Sequence, residues 1–144
     1  MEVAVRHASE RDLDALLVIE SASYPEPWDE ATFRSFLANP SAVCLVLVDG
    51  PGIIGYALGL TSLGMSQLLS ISVLPAQRGS GLATQLLDAL VAECRDRGAS
   101  CMRLEVRSAN RSARRLYDTY GFSMIGLRAG YYGDDDALIM SLDL

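Results

Sequence analysis

The chain has 144 residues, a mass of 15.5 kDa and a formal net charge of −6, from 12 basic and 18 acidic residues. That length can bury a core without disulfide or metal staples, so a single domain over residues 1–144 is expected. With 50% hydrophobic and 21% charged residues the composition excludes a disordered chain, and the acidic balance argues against a nucleic-acid partner and favours a cationic one.

Val3 and Val5 alternate with polar neighbours and predict a first strand. Ser9 and Asp12 have the spacing of a capping box, and Leu13, Leu16, Leu17 and Glu20 then recur at helical spacing to about Ser23. Tyr24-Pro25-Glu26-Pro27-Trp28 breaks that helix, because each proline lacks a donor and restricts the residue before it. Asp29 can cap a second helix carrying Phe33, Phe36 and Leu37, which ends before Asn39-Pro40. The runs Val43–Val48 and Ile53–Leu60, joined through Asp49-Gly50-Pro51-Gly52, predict a hairpin. Leu68–Val73 predicts a further strand, stopped by Pro75. A glycine step at Arg78-Gly79-Ser80-Gly81 opens a long helix with the stripe Leu82, Leu86, Leu87, Leu90, Val91 and Cys94, closed by Gly98. Met102, Leu104 and Val106 mark a strand, Asn110–Tyr120 a short helix, and Phe122–Leu127 and Ala137–Leu142 two final strands. The order β-α-α-β-β-β-α-β-α-β-β predicts an α/β fold with a mixed sheet and helices on its faces.

Every basic residue is Arg, which excludes a Schiff-base lysine and a Walker-type lysine. Cys44, Cys94 and Cys101 lack the short spacing of a zinc site, so no metal is expected and the thiols read as packing residues in a reducing, cytoplasmic setting. The N-terminal residues form no signal peptide, and no apolar run is long enough for a membrane span. Heptads and charge blocks are missing, so the sequence gives no signal of oligomeric state.

At the glycine step, consecutive backbone N–H groups and the positive end of the helix dipole suit an anion, and Arg78 can add a charge-assisted contact. A tight turn with no ligand is the alternative. Before any resemblance is considered, Glu105 reads as a strand carboxylate paired with Arg103 or Arg107, Tyr117 as a core aromatic, and Asn110 as a helix cap.

Arg78-x-x-Gly81-x-Ala83, after Ile71-Ser72-Val73-Leu74-Pro75, resembles the acyl-CoA signature of the GNAT N-acetyltransferase superfamily, and the element order is similar to that family's across essentially the whole chain. Leu104-Glu105-Val106-Arg107-Ser108-Ala109-Asn110 and Leu116-Tyr117-Asp118-Thr119-Tyr120-Gly121-Phe122 resemble the RimI-type branch, the ribosomal-protein N-terminal acetyltransferases, as do Trp28 after proline and the Tyr131-Tyr132 pair. The resemblance implies a GNAT-like fold and an acetyl-CoA-dependent acetyltransferase. Backbone groups of Ile71, Ser72 and Val73 would hold the pantetheine arm. Gly79, Ser80, Gly81, Leu82, Ala83 and Thr84 would cradle the diphosphate with Arg78, and Asn110 would also touch the cofactor. Glu105 would be the general base and Tyr117 the acid for the departing thiolate, with the oxyanion held near Val73.

The implied acceptor is a protein or peptide N-terminus. An α-amine has a pKa of about 7.7–8.0 and a lysine about 10.4, so at pH 7 neutralising the first costs about 1 kcal/mol and the second about 4.6 kcal/mol. The negative surface suits a basic peptide, which Glu26 and Asp134-Asp135-Asp136 could meet, while Tyr24, Trp28, Tyr131 and Tyr132 either wall its cleft or belong to the core edge. Two segments depart from the family pattern, Tyr24-Pro25-Glu26-Pro27-Trp28 with its extra proline and Glu26, and the loop Gly130-Tyr131-Tyr132-Gly133-Asp134-Asp135-Asp136, shorter and more acidic than in typical members; by the resemblance both border the acceptor site. Acetylation of a lysine or of a small amine such as a polyamine or aminoglycoside, and a non-catalytic CoA-sensing module, remain as alternatives. Nothing near His7 suggests a partner for it.

Overall fold

The structure is a computed structural model that describes residues 2–144; Met1, the first residue of the expected domain, lies outside the described residues. Strand β1 covers Val3–His7. A 3-10 turn at Glu10–Asp12 leads into α1, Leu13–Ser23. The reach-back expected of Asp12 is present: the Ser9 N–H donates to its Oδ2 at 2.8 Å. Arg6 adds a fork from β1, with Nη1 and Nη2 at 2.8 and 2.9 Å from the two carboxylate oxygens. Helix α2, Glu30–Ala38, starts on Asp29, whose Oδ1 accepts from the Thr32 N–H at 2.9 Å.

The remaining elements are β2 (Ala42–Asp49), β3 (Gly52–Ser62), β4 (Met65–Val73), α3 (Leu82–Asp96), β5 (Cys101–Arg107), α4 (Arg111–Tyr120), β6 (Ser123–Arg128) and β7 (Ala137–Asp143). One seven-stranded sheet has the order β1-β2-β3-β4-β5-β7-β6, and every neighbouring pair is antiparallel except β4 with β5. The mixed α/β architecture expected from the element order is the observed one. Alternation sends Leu45, Ala57, Ile71 and Leu104 to a core shared with Leu86, Leu87 and Leu90 of α3, and Val46, Tyr56 and Leu58 to a second core under Leu16, Ile19 and Phe33 of α1 and α2.

Three features differ from the sequence expectation. First, β3 and β4 form a longer hairpin than the apolar runs suggested, because Thr61, Ser62, Ser66 and Gln67 belong to it. Leu63 and Gly64 close it with φ of +53° and +78°, the signs of a two-residue primed turn. Second, a short 3-10 turn at Pro75–Gln77 precedes the glycine step. Third, His7 does have a partner, since its Nε2 lies 2.5 Å from Oε1 of Glu93 on α3.

The sheet opens between β4 and β5. The two strands pair only over Met65–Gln67 against Cys101–Arg103. Just beyond, Leu68 pairs with Gly59 and Ser70 with Leu58, so Leu69 has no counterpart on β3. This extra residue is a bulge, which bends its strand and raises the local twist. From there β4 follows β3, β5 follows β7, and a gap separates them.

Candidate active site

The gap exposes one edge of β4. The Leu74 N–H donates to the Ile54 carbonyl at 2.8 Å, and alternation then turns the backbone groups of Val73 and Ile71 away from β3. Side chains already use both carbonyls: Arg78 Nε donates to Val73 O at 2.9 Å, and the Tyr24 hydroxyl donates to Ile71 O at 3.2 Å. Ser72 is in register with Tyr56, so its backbone faces β3 and its side chain meets Ser23 instead. Of the three residues expected to hold the pantetheine arm, Ile71 and Val73 turn their backbone groups away from β3 and Ser72 turns its own toward it.

The glycine step has the geometry of an anion cradle. Gly79 and Gly81 have φ of +89° and +76°, and a Cβ at either would meet nothing within 4 Å. Gly81 occupies the cap position of α3, where it has no side chain to satisfy the first-turn N–H groups of Leu82, Ala83 and Thr84. Ser80 turns its hydroxyl back to the Gln77 carbonyl at 3.1 Å. These residues fit a diphosphate bound by main-chain donors. Arg78 does not face the cradle, because its guanidinium spans Val73 O and the Ser23 hydroxyl, 3.3 Å away. Beside the cradle, a groove of about 680 Å³ runs between α3 and α4, lined by Thr84, Arg111, Arg115, Leu116 and Tyr120 among others. Asn110 caps α4, its Oδ1 accepting from the Ala113 N–H at 3.2 Å.

Glu105 lies on β5 two residues past the last pairing with β4. Its neighbours Leu104 and Val106 enter the α3 core, so its own side chain faces the other side of the sheet. There it borders a groove of about 290 Å³ with Met65, Gln67, Arg128, Ile125 and Ile139. Its ion-pair partner is Arg128 of β6 at 3.4 Å, in place of Arg103 or Arg107. Tyr117 is the buried residue of α4 and packs edge-on to Phe122, with centroids 5.7 Å apart. Burial, with a smaller contribution from the neighbouring Tyr24 hydroxyl, holds its proton well above the ordinary value of 10. Glu105 therefore opens on the face of the sheet away from α3, whereas Tyr117 belongs to the core on the α3 face.

The expected acceptor residues occupy two loops. Between α1 and α2, Tyr24 and Trp28 are half-buried while Glu26 is exposed. Trp28 packs on Phe33 and Phe36 at centroid distances of 5.7 and 5.4 Å. Between β6 and β7, Tyr131 and Tyr132 stack edge-on at 5.0 Å, with Arg128 5.5 Å over the first ring and Arg107 4.2 Å over the second. Burial, and after it the Glu105 charge, raises the Tyr132 pKa. The acidic run is occupied within the chain: Asp134 pairs with Arg107 at 3.3 Å, Asp135 accepts from the Ala109 N–H at 2.9 Å, and Asp136 accepts from the Gly130 N–H at 2.8 Å. All three cysteines are free, and burial pushes the Cys44 thiol up to about 12, which leaves no nucleophilic thiolate there.

Sequence reasoning did not single out Arg128, Arg111 and Arg115, or the buried polar set Glu20, Tyr56 and Ser70. Glu20 did leave a signal, a carboxylate inside the apolar stripe of α1.

A split sheet with a glycine-capped helix at its opening defines an acyl-CoA acyltransferase fold. The acetyltransferase (GNAT) family profile matches residues 13–122, and the chain belongs to that family of acetyl-CoA-dependent enzymes. It is 37% identical over 142 residues to the ribosomal protein bS18-alanine N-acetyltransferase of Haemophilus ducreyi, covering 94% of this chain and 96% of that one. The solved ribosomal protein S18-alanine N-acetyltransferase from Escherichia coli superposes with a TM-score of 0.91 at 31% identity, over 99% of this chain and 94% of that one. Arabidopsis thaliana NAA60 in complex with acetyl-CoA shares the fold, with a TM-score of 0.91 at 18% identity over 99% of this chain and 100% of that one. No helix among the described residues is long and apolar enough to cross a membrane.

Proposed function

We propose that residues 1–144 act as one domain, in the cytoplasm, that transfers acetyl from acetyl-CoA to the α-amine of a protein N-terminus, with a ribosomal protein as the acceptor. The similarity to two ribosomal-protein alanine N-acetyltransferases supports the acceptor class. The chemistry in this reading is supported by a groove-lining carboxylate, Glu105, on one face of the sheet and a buried phenol that holds its proton, Tyr117, on the other.

Acetyl-CoA supplies the activated thioester. The first-turn amides of α3 with Gly79–Ala83 hold its diphosphate, Arg111 and Arg115 of α4 line the groove that continues from there, and Asn110 sits at the head of α4. Tyr24 and Arg78 yield the Ile71 and Val73 edge to the pantetheine amides. Glu105, directly or through a water, takes the proton from the ammonium. The amine nitrogen then bonds to the thioester carbonyl carbon while the Val73 N–H stabilises the oxyanion. As the C–S bond breaks, Tyr117 protonates the departing sulfur, and the second proton lost by the nitrogen passes through water to the phenolate and restores it. From a phenol near 10 to a thiol near 8.5 that transfer is uphill by about 2 kcal/mol. Burial of Tyr117 widens the gap, but the same surroundings destabilise a thiolate formed beside it, so the two effects oppose.

The acceptor is basic in this reading, supported by the net charge of −6 and the exposed Glu26; the Asp134–Asp136 run contributes field rather than free ligands, since each member has a partner. The test is incubation with acetyl-CoA and peptides differing in their first residues, with polyamines as competitors and mass as the readout. Acetylated peptides and inert polyamines are expected. Transfer confined to polyamines, or no thiol release with any amine, would overturn the reading.

A further inference from the structure

Glu20 is a buried carboxylate at the wrong end of a helix. It is 3% exposed and sits in the last turn of α1, where the helix dipole disfavours a negative charge. Both of its hydrogen-bond donors are neutral: the Trp28 N–H gives to Oε2 at 3.0 Å, and the Tyr56 hydroxyl gives to Oε1. An isolated buried charge is costly, and an apolar side chain would pack readily beside Leu16 and Ile19. Core stability alone does not account for a carboxylate here.

The network it anchors leads to the α1–α2 loop from both ends. At the far end, Glu20 binds the Trp28 backbone directly. At the near end, the Ser70 hydroxyl lies 2.8 Å from that of Tyr56 and 3.4 Å from that of Tyr24 and shares its one proton between them, and Tyr24 donates to Ile71 O. Phe33, which supports the Trp28 ring, packs edge-on to Tyr56 at 5.6 Å. Between these two fixed points Pro25, Glu26 and Pro27 are exposed.

We propose that Glu20 is a positioning residue for the acceptor: its carboxylate ties both ends of the Tyr24–Trp28 loop to β3 and β4 and so fixes the cleft wall against which the incoming chain is held. This inference rests on the N-terminal acetyltransferase reading above. Glu20 touches neither reacting atom. Its loss loosens the wall and leaves the glycine cradle and Glu105 in place.

The test is initial-rate kinetics of Glu20→Gln and Tyr56→Phe in the full chain, varying peptide at saturating acetyl-CoA and then the reverse. Glu20→Gln keeps one acceptor for two donors, and the expected result is a rise of about tenfold in the peptide KM, the scale of one lost charge-assisted bond, with the KM for acetyl-CoA unchanged. Tyr56→Phe keeps the carboxylate on Trp28 and cuts only the arm toward Ser70 and Tyr24, so a smaller rise in the same constant is expected. Unchanged peptide KM in both folded variants overturns the proposal, as does a fall in kcat with both KM values unchanged. Should Glu20→Gln fail to fold, Tyr56→Phe decides alone. No transfer to any peptide by the unaltered chain would instead remove the acceptor reading beneath the proposal, a result that needs no variant.

Discussion

Glu105 keeps 25% of its side chain in solvent and pairs with Arg128, so it can receive a proton without having to leave a buried ion pair. Glu105→Gln should lower kcat by about a hundredfold or more near neutral pH and by less at high pH, where the amine is already free. Equal rates and equal pH profiles would remove Glu105 from the chemistry. With Tyr117 as the proposed acid for the departing sulfur, Tyr117→Phe should also lower kcat, by about a hundredfold, with the peptide KM unchanged. A normal kcat in that variant would assign the proton to solvent. Composition and spacing alone left both residues ambiguous: a strand carboxylate between two arginines reads as surface charge, and a phenol on a helical stripe reads as core. Resemblance raised them to candidates, and the structure sets them in different environments, Glu105 beside an open groove and Tyr117 in the α3-side core.

Among the elements, α3 was the most legible, because its six-residue stripe, its glycine start and its glycine end all agree, and those positions are the buried ones. The β4 strand was the least legible. Leu69 is a bulge, so Leu68 and Ile71 share a face across an odd spacing, while Ser70 and Ser72 turn toward α1. A strict two-residue period cannot show that, yet this irregularity accompanies the opening of the sheet. The Leu63-Gly64 turn was hidden for a different reason, since a leucine at φ +53° breaks the usual turn chemistry. Left-handed backbone costs a non-glycine residue about 1 kcal/mol, so Leu63→Gly should raise the melting temperature by about 3 °C. A fall on calorimetry would show that this exposed leucine has contacts that matter. Gly81→Ala meets the same penalty in reverse at φ +76°, and should raise the KM for acetyl-CoA more than that for peptide, as initial rates would show.

For the whole molecule, two sets of protons bound the pH range of stability. Arg6, and secondarily the Ser9 N–H, hold Asp12 below its ordinary 3.8. That contribution is complete above 3.8 and is lost as pH falls through the lowered native value; with Arg6 half-exposed it is about 1 kcal/mol. At the other limit, burial raises Tyr56 and Tyr117 above 10, so the unfolded chain ionises first and stability falls as pH rises beyond 10 toward the native values. Melting curves across pH should show both losses, with Asp12→Asn removing the acid one and Tyr117→Phe reducing the alkaline one. An unaltered acid limb in Asp12→Asn would contradict the Arg6 linkage.

In the proposed function the sheet, the gap and the cradle together serve one event, the arrival of a chain terminus at a thioester. Two versions of one ribosomal-protein N-terminal peptide, one with only its α-amine free and one with only a lysine amine free, can be incubated with the protein and acetyl-CoA and read by mass. Acetylation of the first alone is the expected result. Acetylation of the second alone, or of neither, would contradict the account.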